Sequence, residues 1–465
     1  MNVSFLQELL NSVAEQGRSL IPWSLRSADA EEDIRALSRA LVSGRGEASG
    51  VALARQILAC YAGLSLEQRR SYFRFLADHF SPDVAEVEEA AAAWLSTRDP
   101  ADLARLQAAT ESPRQEFFRR LNLAPGGTAA IVALRHDLLR IAKGDGALAA
   151  VDADLKHLLA SWFNRGFLVL KRIDWQTPAA ILEKIIAYEA VHEIRGWDDL
   201  RRRLDPADRR CFAFFHPALV DDPLIFVEVA LMGDVPEAIG EVLGEPSKPG
   251  AASAPTTAVF YSISNCQEGL KGISFGNFLI KQVAEDLSRE MPSLKTFVTL
   301  SPVPHFARWL DRMAADEAGG LVGPDDRQAL ARLKDPQWHE HETAREVEAT
   351  LMALAAHYFL VAKADDGRPV DPVARFHLGN GARLDRINWL GDTSEKGLRD
   401  AHGLMVNYRY DLKEIERNHE SYANEGAVAA SRAVRGLLRP DKRPKAEIKL
   451  LTAPDVGVGG QAARK

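Results

Sequence analysis

His377 and Ser301 are the side chains whose types and settings carry the strongest chemistry in this chain. His377 ends an apolar approach within Ala374-Arg-Phe-His-Leu-Gly-Asn-Gly-Ala-Arg-Leu-Asp-Arg-Ile-Asn-Trp389, directly before an Asn380-Gly381 turn. A hydrophobic and basic strand-like run leaves that turn. An imidazole held there can give or take a proton near neutral pH. A second strand-to-turn segment, Thr296-Phe-Val-Thr-Leu-Ser-Pro-Val-Pro304, presents Ser301 at its end, with Pro302 and Pro304 stiffening the turn. No Gly-x-Ser-x-Gly elbow surrounds Ser301, so an acyl-serine hydrolase is poorly supported. Taken singly, a serine before proline is ordinarily a turn residue, and a histidine such as His377 is ordinarily a hydrogen-bonded part of the core.

A third segment has the makings of an anion cradle. The strand-like Ala258-Val-Phe-Tyr-Ser-Ile-Ser264 leads into Lys271-Gly-Ile-Ser-Phe-Gly-Asn-Phe-Leu-Ile-Lys281, with an amphipathic helix beginning near residue 275. Glycines let main-chain N–H groups approach a diphosphate, the helix N-terminus adds partial positive charge, and Lys271 adds a full one. Glycine pairs before helices are also common in loops that bind nothing. His339-Glu-His-Glu342 lacks the HExxH spacing, and residues one or two apart on a helix do not share a face, so it reads as a solvated charged stretch. Asn407-Tyr-Arg-Tyr410 brings phenol hydroxyls after an apolar approach and reads on its own as structural tyrosines.

These segments need a scaffold, and the chain supplies two kinds. Residues 1–166 read almost wholly as helix. Ser65-Leu-Glu-Gln68 has capping-box spacing, Ser112-Pro113 reads as an N-cap with proline at the first helical position, and apolar residues recur every three or four along 128–142 and 152–163. His79, His136 and His157 fall on surfaces or edges of that helical bundle. From 167 the character changes to strand candidates at 167–173, 210–215, 224–231, 257–264, 294–300 and 383–389, with helices at 179–190, 275–289 and 347–362 and a helical insertion over 309–346. The expected class is α+β: a helical bundle over 1–166, a mixed catalytic domain over 167–440, and a flexible tail over 441–465. The stretch 246–255 reads as a surface loop.

At 465 residues the chain exceeds one ordinary core, and 46% hydrophobic with 26% charged residues is the balance of a globular protein. A net charge of −7 argues against general nucleic-acid binding. Cys60, Cys211 and Cys266 lie far apart with no CxxC, so no zinc site and no disulfide framework is expected, and no metal is assigned. No stretch approaches the ~18 consecutive apolar residues of a membrane span. The first ten residues include Glu8 and lack a basic region before an apolar one, and the chain ends Ala463-Arg464-Lys465 rather than Ser-Lys-Leu. The expected location is the cytoplasm.

Read together, the segments resemble the malonyl-CoA decarboxylase family. The matching residues run through Phe260-Tyr-Ser-Ile-Ser264, Gly269-Leu-Lys-Gly272, Gly276-Asn-Phe-Leu-Ile-Lys281, Leu300-Ser-Pro-Val-Pro304, Asp371-Pro-Val-Ala-Arg-Phe-His-Leu378, Arg386-Ile-Asn-Trp389 and Gly403-Leu-Met-Val-Asn-Tyr-Arg-Tyr410. They cover roughly residues 165–435 in the right order. The resemblance implies a helical oligomerisation domain, hence a dimer or tetramer, followed by a catalytic domain related to the GNAT-type N-acetyltransferase fold. It implies conversion of malonyl-CoA to acetyl-CoA and carbon dioxide with neither metal nor organic cofactor.

The family's active serine falls on Ser301, its active histidine on His377 and its motif tyrosine on Tyr410. Its CoA-contacting loop falls on Lys271, Gly272, Ile273, Ser274, Phe275, Gly276 and Asn277. Some relatives carry glutamate where this chain has Ser274. On this reading Ser301 bonds the substrate carboxylate or thioester, and His377 protonates C2 either as imidazolium or through a hydrogen bond shared with Ser301. An acyl-CoA-dependent N-acyltransferase and a non-catalytic CoA-binding protein are the rival readings, because a fold does not fix a function.

Overall fold

A computed structural model describes residues 30–43, 47–244, 254–273, 279–316, 320–342 and 344–439. The chain divides into two compact units. One takes residues up to 170 together with 214–224 and 265–275, and the other takes 171–213, 225–264 and 276 onward. The tail over 441–465 and most of the loop over 246–255 lie outside the described residues.

The first unit is built of short amphipathic helices, among them Leu66–His79, Pro113–Leu121, Gly127–Ile141 and Gly146–Trp162. Ser65 and Gln68 form the expected reciprocal cap: Gln68 N–H donates to Ser65 Oγ at 3.3 Å, and Ser65 N–H donates to Gln68 Oε1 at 2.9 Å. Ser112 occupies the N-cap position before Pro113 but caps nothing. Its hydroxyl donates instead to Asp154 at 2.7 Å, beside the buried Arg114 guanidinium at 2.9 Å, because a buried ion pair has the stronger claim on a donor. Phe117, Phe118 and Leu121 are fully buried. His79 and His157 are exposed on their helices and His136 is half-buried.

The sheet has eight strands: β1 Val169–Ile173, β2 Arg209–Phe215, β3 Pro223–Met232, β4 Thr257–Asn265, β5 Thr296–Thr299, β6 Ser301–Pro302, β7 Arg383–Asn388 and β8 Met405–Arg409. Their order is β1-β2-β3-β4-β5-β8-β6, with β7 also pairing β8. β4 and β5 are parallel from Thr257↔Thr296 to Phe260↔Thr299, and the helix Leu279–Glu290 lies between them in the chain, as a parallel pair requires. β4 continues to Asn265, so its last residues run beyond that pairing. β8 is antiparallel to β5, β6 and β7. One face of this region closes on a core that includes Ala230, Val259, Tyr261, Val298, Leu300 and Met405. The expected α+β class, helices first and mixed sheet second, is the class observed.

The apolar approach to the Asn380-Gly381 turn, given no element from sequence, is helical. Its residues form the helix Pro372–Gly379, capped by Asp371, whose Oδ1 accepts the Ala374 N–H at 2.7 Å, with Pro372 in the first turn. At the other end Asn380 N–H bonds Phe376 O, the Asn380 side-chain amide bonds the same carbonyl at 2.8 Å, and Gly381 N–H bonds Leu378 O at 2.9 Å. A helix, a tight turn and β7 therefore follow one another.

Candidate active site

Side chains alternate across a strand, so the register of β8 decides which groups meet. Ser301 lies opposite Val406, and Val298 lies opposite Arg409, which puts Thr299 and Ser301 on the face shared by Val406, Tyr408 and Tyr410. The helix Pro372–Gly379 lays His377 on that face. Its ring stacks on Tyr408, with centroids 4.5 Å apart and planes 22° off parallel. Three buried groups, Ser301, His377 and Tyr410, thus come from three elements to one place.

They form a continuous hydrogen-bonded chain. Tyr410 Oη is 2.8 Å from His377 Nδ1, and His377 Nε2 is 3.2 Å from Ser301 Oγ. Ser301 Oγ donates to Thr299 Oγ1 at 2.8 Å, and Thr299 Oγ1 also accepts the Tyr408 N–H at 3.1 Å. The bond from Ser301 to Thr299 assigns directions to the rest. A serine whose proton goes to Thr299 accepts from an Nε2–H, which leaves Nδ1 bare to accept the phenol proton of Tyr410.

Burial pushes His377 from its ordinary 6.5 down to about 3 and holds the Tyr410 phenol well above its ordinary range. The imidazolium considered from sequence is therefore not the resting form. Burial holds His377 in the neutral form. In histidine labelled with nitrogen-15, His377 should keep the Nε2–H neutral spectrum from pH 8 down to pH 5. A titration near 6.5 would mean that water reaches the ring and would remove the assigned chain.

Behind this face a second polar group ties the strands together. The Asn407 side-chain amide donates to Thr299 O at 2.8 Å, and its oxygen accepts from Asn388 Nδ2 at 2.9 Å and Arg386 Nε at 3.0 Å. Arg386 continues to the carbonyls of Pro236 at 2.7 Å and Val235 at 3.1 Å. Asn407 is fully buried, so each of these bonds replaces one that water would otherwise supply. Sequence reasoning missed Thr299 and Asn407. Thr299 had a usable signal, since it stands two residues before Ser301 in a strand and so shares its face. Asn407 had a weaker one, a polar residue between apolar neighbours.

Three of the cradle residues are described. Lys271 and Gly272 are exposed and Ile273 is buried, following the 3-10 turn Glu268–Leu270 in the first unit. Ser274, Phe275, Gly276 and Asn277 lie outside the described residues. His339 and His341 face Glu340 and Asp335 at 3.7 and 3.3 Å, as side chains of a charged surface stretch do.

Comparison with known proteins decides the family. The description "Malonyl-CoA decarboxylase C-terminal domain" matches residues 166–448, and "Malonyl-CoA decarboxylase N-terminal domain" matches residues 80–163. The chain belongs to the malonyl-CoA decarboxylase family. It is 36% identical to the mitochondrial malonyl-CoA decarboxylase of Anser anser anser over 408 residues, covering 80% of this chain and 81% of that one. The crystal structure of malonyl-CoA decarboxylase from Rhodopseudomonas palustris is 55% identical, with a TM-score of 0.84, over 87% of this chain and 99% of that one. The enzyme from Agrobacterium vitis is 56% identical, with a TM-score of 0.83, over 88% and 100%. As a member of the malonyl-CoA decarboxylase family the chain is a carboxy-lyase, and malonyl-CoA is the family's substrate. No helix among the described residues is long and apolar enough to cross a membrane.

Proposed function

We propose that the Tyr410–His377–Ser301 chain carries the decarboxylation of malonyl-CoA to acetyl-CoA and carbon dioxide. Loss of carbon dioxide leaves an electron pair shared between C2 and the thioester oxygen, so the thioester is its own electron sink. What the protein must add is a donor to the developing enolate and a proton for C2. Ser301 supplies both once its hydroxyl turns from Thr299 to the substrate. A thioester carbanion is a far stronger base than an alkoxide, so an uncharged serine is acid enough. As the Ser301 proton leaves for C2, the His377 Nε2–H moves to Oγ and the Tyr410 O–H moves to Nδ1. One proton from water restores the chain, and one proton is consumed per turnover. The supporting observation is the unbroken run of distances from Tyr410 to Thr299.

Lys271 to Asn277 is read as the loop that takes the CoA end of the substrate. Self-association as a dimer or tetramer is assigned to the helical unit; the hairpin of Val84–Thr97 and Pro100–Thr110 supports this by exposing Val84, Leu95 and Leu103.

Incubation with malonyl-CoA and no amine tests the activity. Acetyl-CoA and carbon dioxide should appear in equal amounts, and in heavy water the acetyl methyl should carry one deuterium. Consumption of malonyl-CoA only when an amine acceptor is present would instead favour acyl transfer.

A further inference from the structure

Helix Gly127–Ile141 sends Arg135 inward, where its side chain is 2% exposed. Nε donates to Asp152 at 2.8 Å, and one terminal nitrogen donates to two main-chain carbonyls, Gly269 O at 2.8 Å and Lys271 O at 2.9 Å. Burying a guanidinium is costly, and this one is committed to the shape of a single turn. The turn lies flush on the helix: a methyl group on Gly269 would sit 2.0 Å from Val132 O. A trans peptide is planar, so aiming the Lys271 carbonyl at Arg135 aims the N–H of Gly272 the opposite way. Gly272 takes φ +76°, which a side chain would resist.

Two lysines flank that glycine. One is Lys271, its neighbour in the chain. The other is Lys156, from helix Gly146–Trp162, whose Nζ is 3.9 Å from where a methyl on Gly272 would be. Both lysines are exposed, and neither has an ion-pair partner among the described residues.

We infer that Lys156 is a second phosphate-binding cation for the nucleotide of CoA, and that Arg135 is the positioning residue that aims the Gly272 N–H at the same phosphate. The helical unit then takes part in substrate binding as well as in assembly. This rests on the reading above that the turn at Lys271 and Gly272 takes the CoA end.

The test uses the full chain and three substrates: malonyl-CoA, malonyl-dephospho-CoA and malonyl-pantetheine, which has no phosphate. Lys156→Glu should lower kcat/KM for malonyl-CoA about tenfold through KM, a change that salt suppresses, while malonyl-pantetheine is affected by less than about twofold. Arg135→Lys, which keeps the charge and loses the fork, should show the same split. If the split persists with malonyl-dephospho-CoA, the diphosphate is the group held; if it vanishes, the 3′-phosphate is. A purely structural role would lower kcat on all three substrates together with the melting temperature, and that result overturns the inference. So does a split produced by Lys271→Glu but by neither other variant, which leaves the loop reading standing. If Lys271→Glu also produces no split, the loop reading falls as well.

Discussion

Replacing His377 by glutamine should lower kcat on malonyl-CoA by at least about a hundredfold, the lower end of what positioned proton transfer contributes. Glutamine can occupy the cavity and can still accept from Tyr410, so the far-UV circular dichroism and the subunit assembly should be unchanged. It cannot exchange a proton on one atom for a proton on another, which is the step proposed for the neutral imidazole between Tyr410 and Ser301. KM should change little, because the ring is buried against Tyr408 and contributes nothing to holding the nucleotide. Turnover within a few-fold of the parent would refute the assignment of His377, since no other imidazole bonds Ser301 in the described residues.

Ser301→Ala should lower kcat about 10²- to 10³-fold, the range seen when a single donor to a developing oxyanion is removed, and should raise KM by much less. The asymmetry follows from where the hydroxyl points. At rest it serves Thr299, so the ground state gains little from it; only as charge moves onto the thioester does the bond to substrate become worth more than the bond to Thr299. The variant leaves the His377 Nε2–H and the Thr299 oxygen facing an empty methyl-sized gap, at a cost of about 1 to 3 kcal/mol in stability. A thermal melt run alongside the kinetics separates that loss from the catalytic one. A large rise in KM with kcat preserved would make Ser301 a binding residue and move the chemistry elsewhere.

Most of the sheet was readable because its strands are rich in β-branched and aromatic residues bounded by turn formers; Thr257–Asn265 and Arg383–Asn388 fall within a residue or so of where the sequence placed them. Met405–Arg409, the strand that pairs with β5, β6 and β7, was not read as one. Its five residues end in Tyr-Arg and include a buried asparagine, so neither alternation nor length marked it, yet the placing of Ser301 and Thr299 depends on its register. The segment carrying His377 was read only as an apolar approach, with no element assigned to it. Asp371-Pro372 is a helix-start signature, and it outweighed the strand-like composition around Phe376. The proposal that Ser301, His377 and Tyr410 form one site came from sequence only through resemblance. That they touch was not visible there, because residues 76 positions apart meet through strand register and helix docking, which no local pattern encodes. Arg135 shows the same limit: in a helical pattern an inward arginine and a surface arginine look alike until something across the fold accepts its hydrogen bonds.

The turn after His377 also bears on how this protein ages. Asparagine followed by glycine is where an unfolded chain most easily cyclises to a succinimide, because the glycine nitrogen can attack the side-chain amide unhindered. In the folded chain that nitrogen is bonded to Leu378 O and the amide to Phe376 O, so neither is presented to the other. Isoaspartate accumulating at position 380 during storage would therefore count the moments when the end of the His377 helix comes undone.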